Sequence, residues 1–301
     1  MAGVMTATTA IVDLSKLDPP TIVEQLDYET ILARKIARMV ALFPDFDATV
    51  DSDPAMKVLQ IAAYDELLLR QDFNERLVGR LVAYATGATL DHIGAAIGVA
   101  RLAVTPANAT TGAAIIYEDD DSFRARIVLG PEGFAAAGPE LAYVKRAKDA
   151  GTDVLDASAI SPAPGEVLVT VLSRSGDGTA PESLLQAVRD IVLDPAVRPV
   201  GDLVTVAAAT QRRFVIDARI WTFAGPDPAL LIVTGQGRLA KYLTDSRRLG
   251  RNVTLSGLNA AMTVSGVQRV EILSPAADIV CDRTEAALCT SSTVIHGGYD
   301  D

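Results

Sequence analysis

A chain of 301 residues, 49% hydrophobic and 22% charged, is long enough to bury two or three cores and too apolar to stay disordered. Its 27 basic and 38 acidic side chains leave a formal charge of −11, which excludes a protein that neutralises phosphate over most of its surface. No apolar run reaches the roughly 18 residues of a membrane span, and the opening MAGVMTATTAIVDLS lacks the basic flank and long apolar core of a signal peptide.

The first hundred residues read as helix. Asp27 is placed to cap a segment in which Leu32, Ile36, Met39, Val40 and Phe43 recur at helical spacing until Pro44 ends the pattern. Asp53 followed by Pro54 repeats the start signal and opens a second segment through Val58, Ile61, Leu68, Leu69, Leu77 and Leu81, with a stop expected at Gly87. At 1.5 Å per residue such a helix is about 45 Å long. Asp65, Glu66, Arg70, Asp72, Glu75 and Arg76 crowd its middle, so one core cannot enclose it, and the helix is expected to project or to pack on another chain. A third, short helix is expected from a cap at Thr89 to Gly98.

RLAVTPANATTG, residues 101–112, has turn formers and no periodicity and marks a boundary. Beyond it, Ser122 is a cap for a short helix and Pro139 the first residue of another that runs to Gly151. The stretch 153–158, the turn SPAPG and EVLVTVL at 166–172 read as a hairpin. Pro181 then opens a helix with Leu185, Val188 and Val192 on one face, and DLVTV at 202–206 is a strand, giving the order β-β-α-β. In the last ninety residues FVIDARIWTF is a strand, and Asp227-Pro228 starts a helix with Ile232, Leu239, Ala240 and Leu243 on one face. A short helix over 254–262 and the strands VQRVEIL and ALCTSSTVI complete the layer. The expected fold is α+β and multidomain: a helical region over 1–105, followed by two small α/β sandwich-type domains over 106–211 and 212–301.

Reactive constellations are scarce. His92 and His296 are the chain's two histidines, and neither sits in a pattern that marks a catalytic base. Glu118, Asp119, Asp120 and Asp121 lack the spaced carboxylates and internal glycine of a calcium loop and read as solvated charge ahead of a helix. GPEG at 130–133 and SGDGT at 175–179 are turns, not phosphate loops. Cys281 and Cys289 are too few for a disulfide framework and read as reduced thiols. Arg238, Lys241, Arg247, Arg248 and Arg251 concentrate positive charge in an acidic protein and suit contact with an acidic protein neighbour better than with nucleic acid. No metal, cofactor or catalytic residue is expected. The nearest pair of carboxylates that a hydrolase could use is Glu132 and Glu140, separated by turn formers.

The opening VDLSKLDPPTIVEQLDYETIL resembles the start of the baseplate J-like proteins of P2-like phages. YATGATLDHIGAAIGVAR at 84–101 is similar to that family's most recognisable block. SFRARIVLGPEGFAAAGPELAY at 122–143 and DASAISPAPGEVLVTVLSRSGDGT at 156–179 resemble its centre. RRLGRNVTLSGLNAAMTVSGVQRVEILSPAADIV at 247–280 and AALCTSSTVIHGG at 286–298 continue the likeness. The resemblance implies a structural wedge subunit of a contractile tail baseplate, related to the large wedge protein of T4-like baseplates and assembled in the host cytoplasm. Copies would pair within a wedge, and wedges would close a sixfold ring around the hub and spike. Partners would be other wedge proteins and neighbours at the hub and at the start of the sheath, and a tail-associated cell-wall hydrolase is the alternative. Contact with partners is expected at Leu32, Ile36, Met39, Phe43, Ile61, Leu68 and Leu77, and at Arg247, Arg248 and Arg251. MAGVMTATTA precedes the family's usual start.

Overall fold

The structure is a computed structural model and describes residues 14, 17–18, 20, 26–47, 50–105, 113–134, 140–195, 198–199, 201–225 and 227–299. The extension MAGVMTATTA, residues 106–112 of the expected boundary, and Pro139 lie outside the described residues. Contacts divide the chain into two units. One holds Asp119–Val128 with the described residues up to Arg101, the other Leu102–Glu118 with those from Leu129 onward.

In the first unit, α1 (Tyr28–Leu42) starts where expected, with the Asp27 carboxylate accepting from the Glu29 N–H at 3.1 Å. α2 (Pro54–Val78) uses the same device, Asp53 accepting from the Ala55 N–H at 2.7 Å, with Pro54 at a position that needs no donor. Glu66 of α2 joins the two helices through Lys35 at 2.7 Å and through Arg34, and also holds Arg70 one turn on at 2.9 Å. α2 has 25 residues, about 37 Å, and stops at Gly79 rather than at Gly87. The tight bonds Arg80 N–H to Leu77 O and Leu81 N–H to Val78 O end it, and Gly87, at φ +51°, instead begins α3 (Gly87–Ala96). The N-cap of α3 is thus Thr86, not Thr89, and the helix ends before Gly98, whose φ of +72° cannot continue it.

In α4 (Asp120–Leu129), Ser122 lies within the first turn. Capping falls to Asp119, which accepts from the Ser122 N–H at 2.8 Å. α4 lays Phe123 and Ile127 against Ala85, Leu90 and Val99, a small core with Val82, Ile93 and Ile97 at its margin. Gly94 makes this approach possible, since a Cβ there would stand 2.6 Å from both the Phe123 ring and the Val99 carbonyl.

The second unit opens with a short antiparallel pair, β1 (Ala103–Thr105) and β2 (Ile116–Tyr117), not expected from the sequence. α5 (Glu140–Asp149), β3 (Val154–Ile160), β4 (Glu166–Ser173), α6 (Glu182–Val192) and β5 (Leu203–Ala208) follow the expected order. The sheet is β3-β4-β5, with β3 antiparallel and β5 parallel to β4. Ala157, Ala159, Val169 and Val171 bury against Leu185, Val188 and Val192 of α6 and Tyr143 and Ala147 of α5. Pro181 precedes α6 as its N-cap, as the sequence suggested.

β6 (Thr210–Thr222) follows β5 after Ala209 alone. Ala209 donates to the Val171 carbonyl of the first sheet at 2.9 Å, and Thr210 to the Thr284 carbonyl beside the second at 3.0 Å. α7 (Pro228–Ser246), capped by Asp227, and α8 (Leu255–Met262), capped by Thr254, cover the sheet formed by β7 (Val267–Ser274), β6 and β8 (Glu285–Tyr299). β8 runs parallel to β6 and β7 antiparallel to it. Leu239, Leu258 and Met262 bury on Ile216, Ala218 and Ile220. On α7 the buried side runs through Gly235 and Leu239 with Tyr242 and Leu243 beside them, whereas Ala240, expected on that face, is exposed. Arg283 ties the two sheets together, donating to both oxygens of Glu140 at 3.0 and 2.8 Å and to the Ala159 carbonyl at 2.8 Å.

Candidate interaction surfaces

Of the apolar positions proposed as contacts, Phe43, Ile61 and Leu68 are exposed, and Leu32, Ile36, Met39 and Leu77 are half-buried. Four more large apolar residues of α2 are exposed but were not chosen as contacts: Val58, Tyr64, Leu69 and Phe73. At 100° per residue, Val58, Leu69 and Phe73 fall on one side of the helix and Ile61, Tyr64 and Leu68 on the adjacent one, so more than one face is apolar. These residues are apolar in the sequence, but a single helical stripe does not contain them all.

The basic segment is split by its geometry. Arg238, Lys241, Arg248 and Arg251 are exposed, while Arg247 is half-buried and donates to the Gly176 carbonyl at 3.3 Å. The β4–α6 loop leaves room for that guanidinium at Gly178, where a Cβ would stand 3.0 Å from it.

The acidic run is committed to local structure. Glu118 is buried and accepts from the Leu102 N–H at 2.8 Å, Asp119 caps α4, and Asp121 pairs with Arg124. Asp120 accepts from the Gly87 N–H at 3.0 Å and meets Arg101 at 2.7 Å, and these two contacts hold its carboxyl below the usual range. Among the described residues no group of three or more His, Cys, Asp and Glu side chains is arranged to hold a metal ion.

His92 is exposed on α3. His296 stands 3.0 Å, Nε2 to Oγ1, from the buried Thr222 and edge-on to the Tyr299 ring at 5.2 Å. Glu132 lies in a 3-10 turn, Gly130–Phe134, and Glu140 is taken by Arg283. A groove between α8 and β7, lined by Leu255, Ser256, Asn259, Thr263, Val270 and Ile272 among others, offers hydroxyl and amide groups but no acid, base or thiol. Cys281 and Cys289 are free thiols that pack in the C-terminal core, and burial raises the pKa of both.

The sides of α1 and α2 that carry these apolar residues, and the basic residues that flank Arg247, are thus exposed. A family model described as the Baseplate J-like N-terminal domain matches residues 51–108, and one described as the Baseplate J-like central domain matches 135–208. Baseplate protein J of Escherichia phage P2 is 39% identical over 300 residues, spanning 97% of this chain and 99% of that protein. The chain belongs to the baseplate J-like family. In this baseplate J-like chain the N-terminal family domain carries α2 and α3, and the central one carries α5 to β5. The blocks at 247–280 and 286–298 lie beyond both family models, and the likeness to the phage P2 protein extends over 97% of the chain. No helix of the described residues is long and apolar enough to cross a membrane.

Proposed function

We propose that this chain is a structural subunit of a phage tail baseplate and, more finely, a wedge protein of a contractile tail or tail-like particle. The observation that carries this reading is the near end-to-end likeness to Baseplate protein J of phage P2. The exposed apolar sides of α2 support it, because several large apolar side chains left in water on one helix belong to a surface that another chain covers. In this reading residues 1–105 join a helical bundle of wedge proteins, while 106–211 and 212–301 face neighbours in a sixfold ring around hub and spike. The basic residues Arg248 and Arg251 meet acidic protein, and the chain catalyses no reaction. A cell-wall hydrolase is the weaker reading, since Glu140, one of its two carboxylates, is engaged by Arg283.

Electron microscopy of assembled tails that carry an epitope on this chain tests the proposal. Antibody label is expected at the baseplate end, and particles without the chain are expected to lack a baseplate. Label along the tube, or normal baseplates in its absence, refutes the role.

A further inference from the structure

From Leu102 to Tyr117 the sequence contains no charged side chain. The segment is clamped at its base. Glu118 donates its N–H to the Leu102 carbonyl at 2.9 Å, and the Leu102 N–H donates to the buried Glu118 carboxylate at 2.8 Å. Beyond the clamp every residue of β1 and β2 is exposed, and Val104, Ile116 and Tyr117 keep half or more of their surface in water, with Ile115 close behind at 41%. Among the described residues neither strand pairs with a third. A lone two-stranded ribbon is marginal in water, and further strands or a packed face are needed before it is stable.

We propose that this hairpin is a surface through which two copies of the chain meet, edge to edge across a two-fold axis, to make one four-stranded sheet. The choice of a second copy rests on charge. Each copy carries −11, so faces that hold their share of acid repel one another, and an uncharged arm lets like chains meet without that repulsion. A basic partner would instead be drawn to the acidic surface and has no need of a neutral arm. The two-fold axis sets each edge against its own equivalent, doubles the ribbon and supplies partners for exposed N–H and C=O groups. The inference rests on the self-association contained in the proposed function and adds the surface that achieves it.

Sedimentation of the full chain over a wide concentration range tests it, with Ile116→Glu on the arm and Val233→Glu on α7 as the control. Both side chains are exposed, at 60% and 64%, so thermal unfolding followed by circular dichroism should match the parent chain. Tyr117→Asp, read the same way, replaces Ile116→Glu if the latter unfolds. The expected result is a dimer whose dissociation constant rises about a hundredfold or more in the arm variant and stays put in the control. A dimer that survives both arm variants overturns the arm as the surface and leaves self-association standing. A parent chain that stays monomeric throughout overturns the inference together with the pairing it rests on.

Discussion

Replacing Phe123 by alanine removes the largest side chain from the small core of the first unit. Phe123 is fully buried, and its core comprises four other buried residues with three at the margin. Truncating a buried phenylalanine costs about 3–5 kcal/mol, transfer and residual cavity together. The Arg101 guanidinium, 4.6 Å from the ring centroid, loses its stacking partner as well, which adds about 0.5–1 kcal/mol. The loss should be local, because the core of the second unit at Val169, Val171 and Val188 is a separate cluster. Amide hydrogen exchange is the suitable assay. In the variant the amides of Gly87–Ala96 should exchange about a hundredfold faster or more, while those of Val169–Leu172 keep their protection. Acceleration below about tenfold in α3, or equal acceleration in β4, refutes the assignment of α4 to the first core.

Three further outcomes are expected. Glu66 has a folded pKa of about 2, lowered by its bonds to Lys35 and Arg34, so its contribution to α1–α2 contact is complete above the unfolded value near 4.5 and fades as pH falls from there toward 2. Carboxyl NMR titration with a Glu66 midpoint at 4 or higher contradicts this, and Glu66→Gln should loosen α1 at neutral pH as measured by exchange. Arg283→Met removes the bidentate pair with Glu140 and the bond to the Ala159 carbonyl, which should lower stability by about 1–3 kcal/mol in urea unfolding followed by far-ultraviolet circular dichroism. No change there means that the two sheets do not depend on this tie. Gly297→Ala puts a methyl group 2.6 Å from the Trp221 ring, itself 4.3 Å from the Arg269 guanidinium, and should cost about 1–3 kcal/mol with a shift in tryptophan emission; an unshifted spectrum at unchanged stability tells against that packing.

Where local chemistry decides the structure, the sequence was readable. Asp27, Asp53-Pro54 and Asp227-Pro228 each open a helix because carboxylate and proline satisfy or remove the same orphan donors. The β-β-α-β order after residue 150 also followed from period and turn residues. Legibility ended where distant residues decide. Gly79 and Gly87 are both credible stops, and which one ends α2 depends on a turn through 80–86 that the packing of α3 under α4 selects. Asp119 rather than Ser122 caps α4, since the carboxylates beside it are drawn off to Leu102, Gly87 and Arg101. The hairpin β1–β2 leaves no periodic mark in the sequence because its strands have three and two residues. Among the contact candidates, Arg247 shows the limit most clearly. Its sequence neighbours are basic and exposed, yet it turns inward to a loop some seventy residues earlier in the chain.

The passage from β5 through Ala209 into β6 gives the second unit a mechanical character. One nearly unbroken strand belongs first to one sheet and then to the other. It runs parallel to β4 over six registered pairs, Glu166–Val171 with Leu203–Ala208, and parallel to β8 from Thr210–Glu285 to Thr222–Tyr299. Tension drawn along that strand loads its hydrogen bonds side by side, in shear, so that many must yield together rather than unzip in turn. A pull applied at one sheet therefore reaches the other through covalent backbone, with no hinge at Ala209, whose own N–H is bonded and whose side chain is buried.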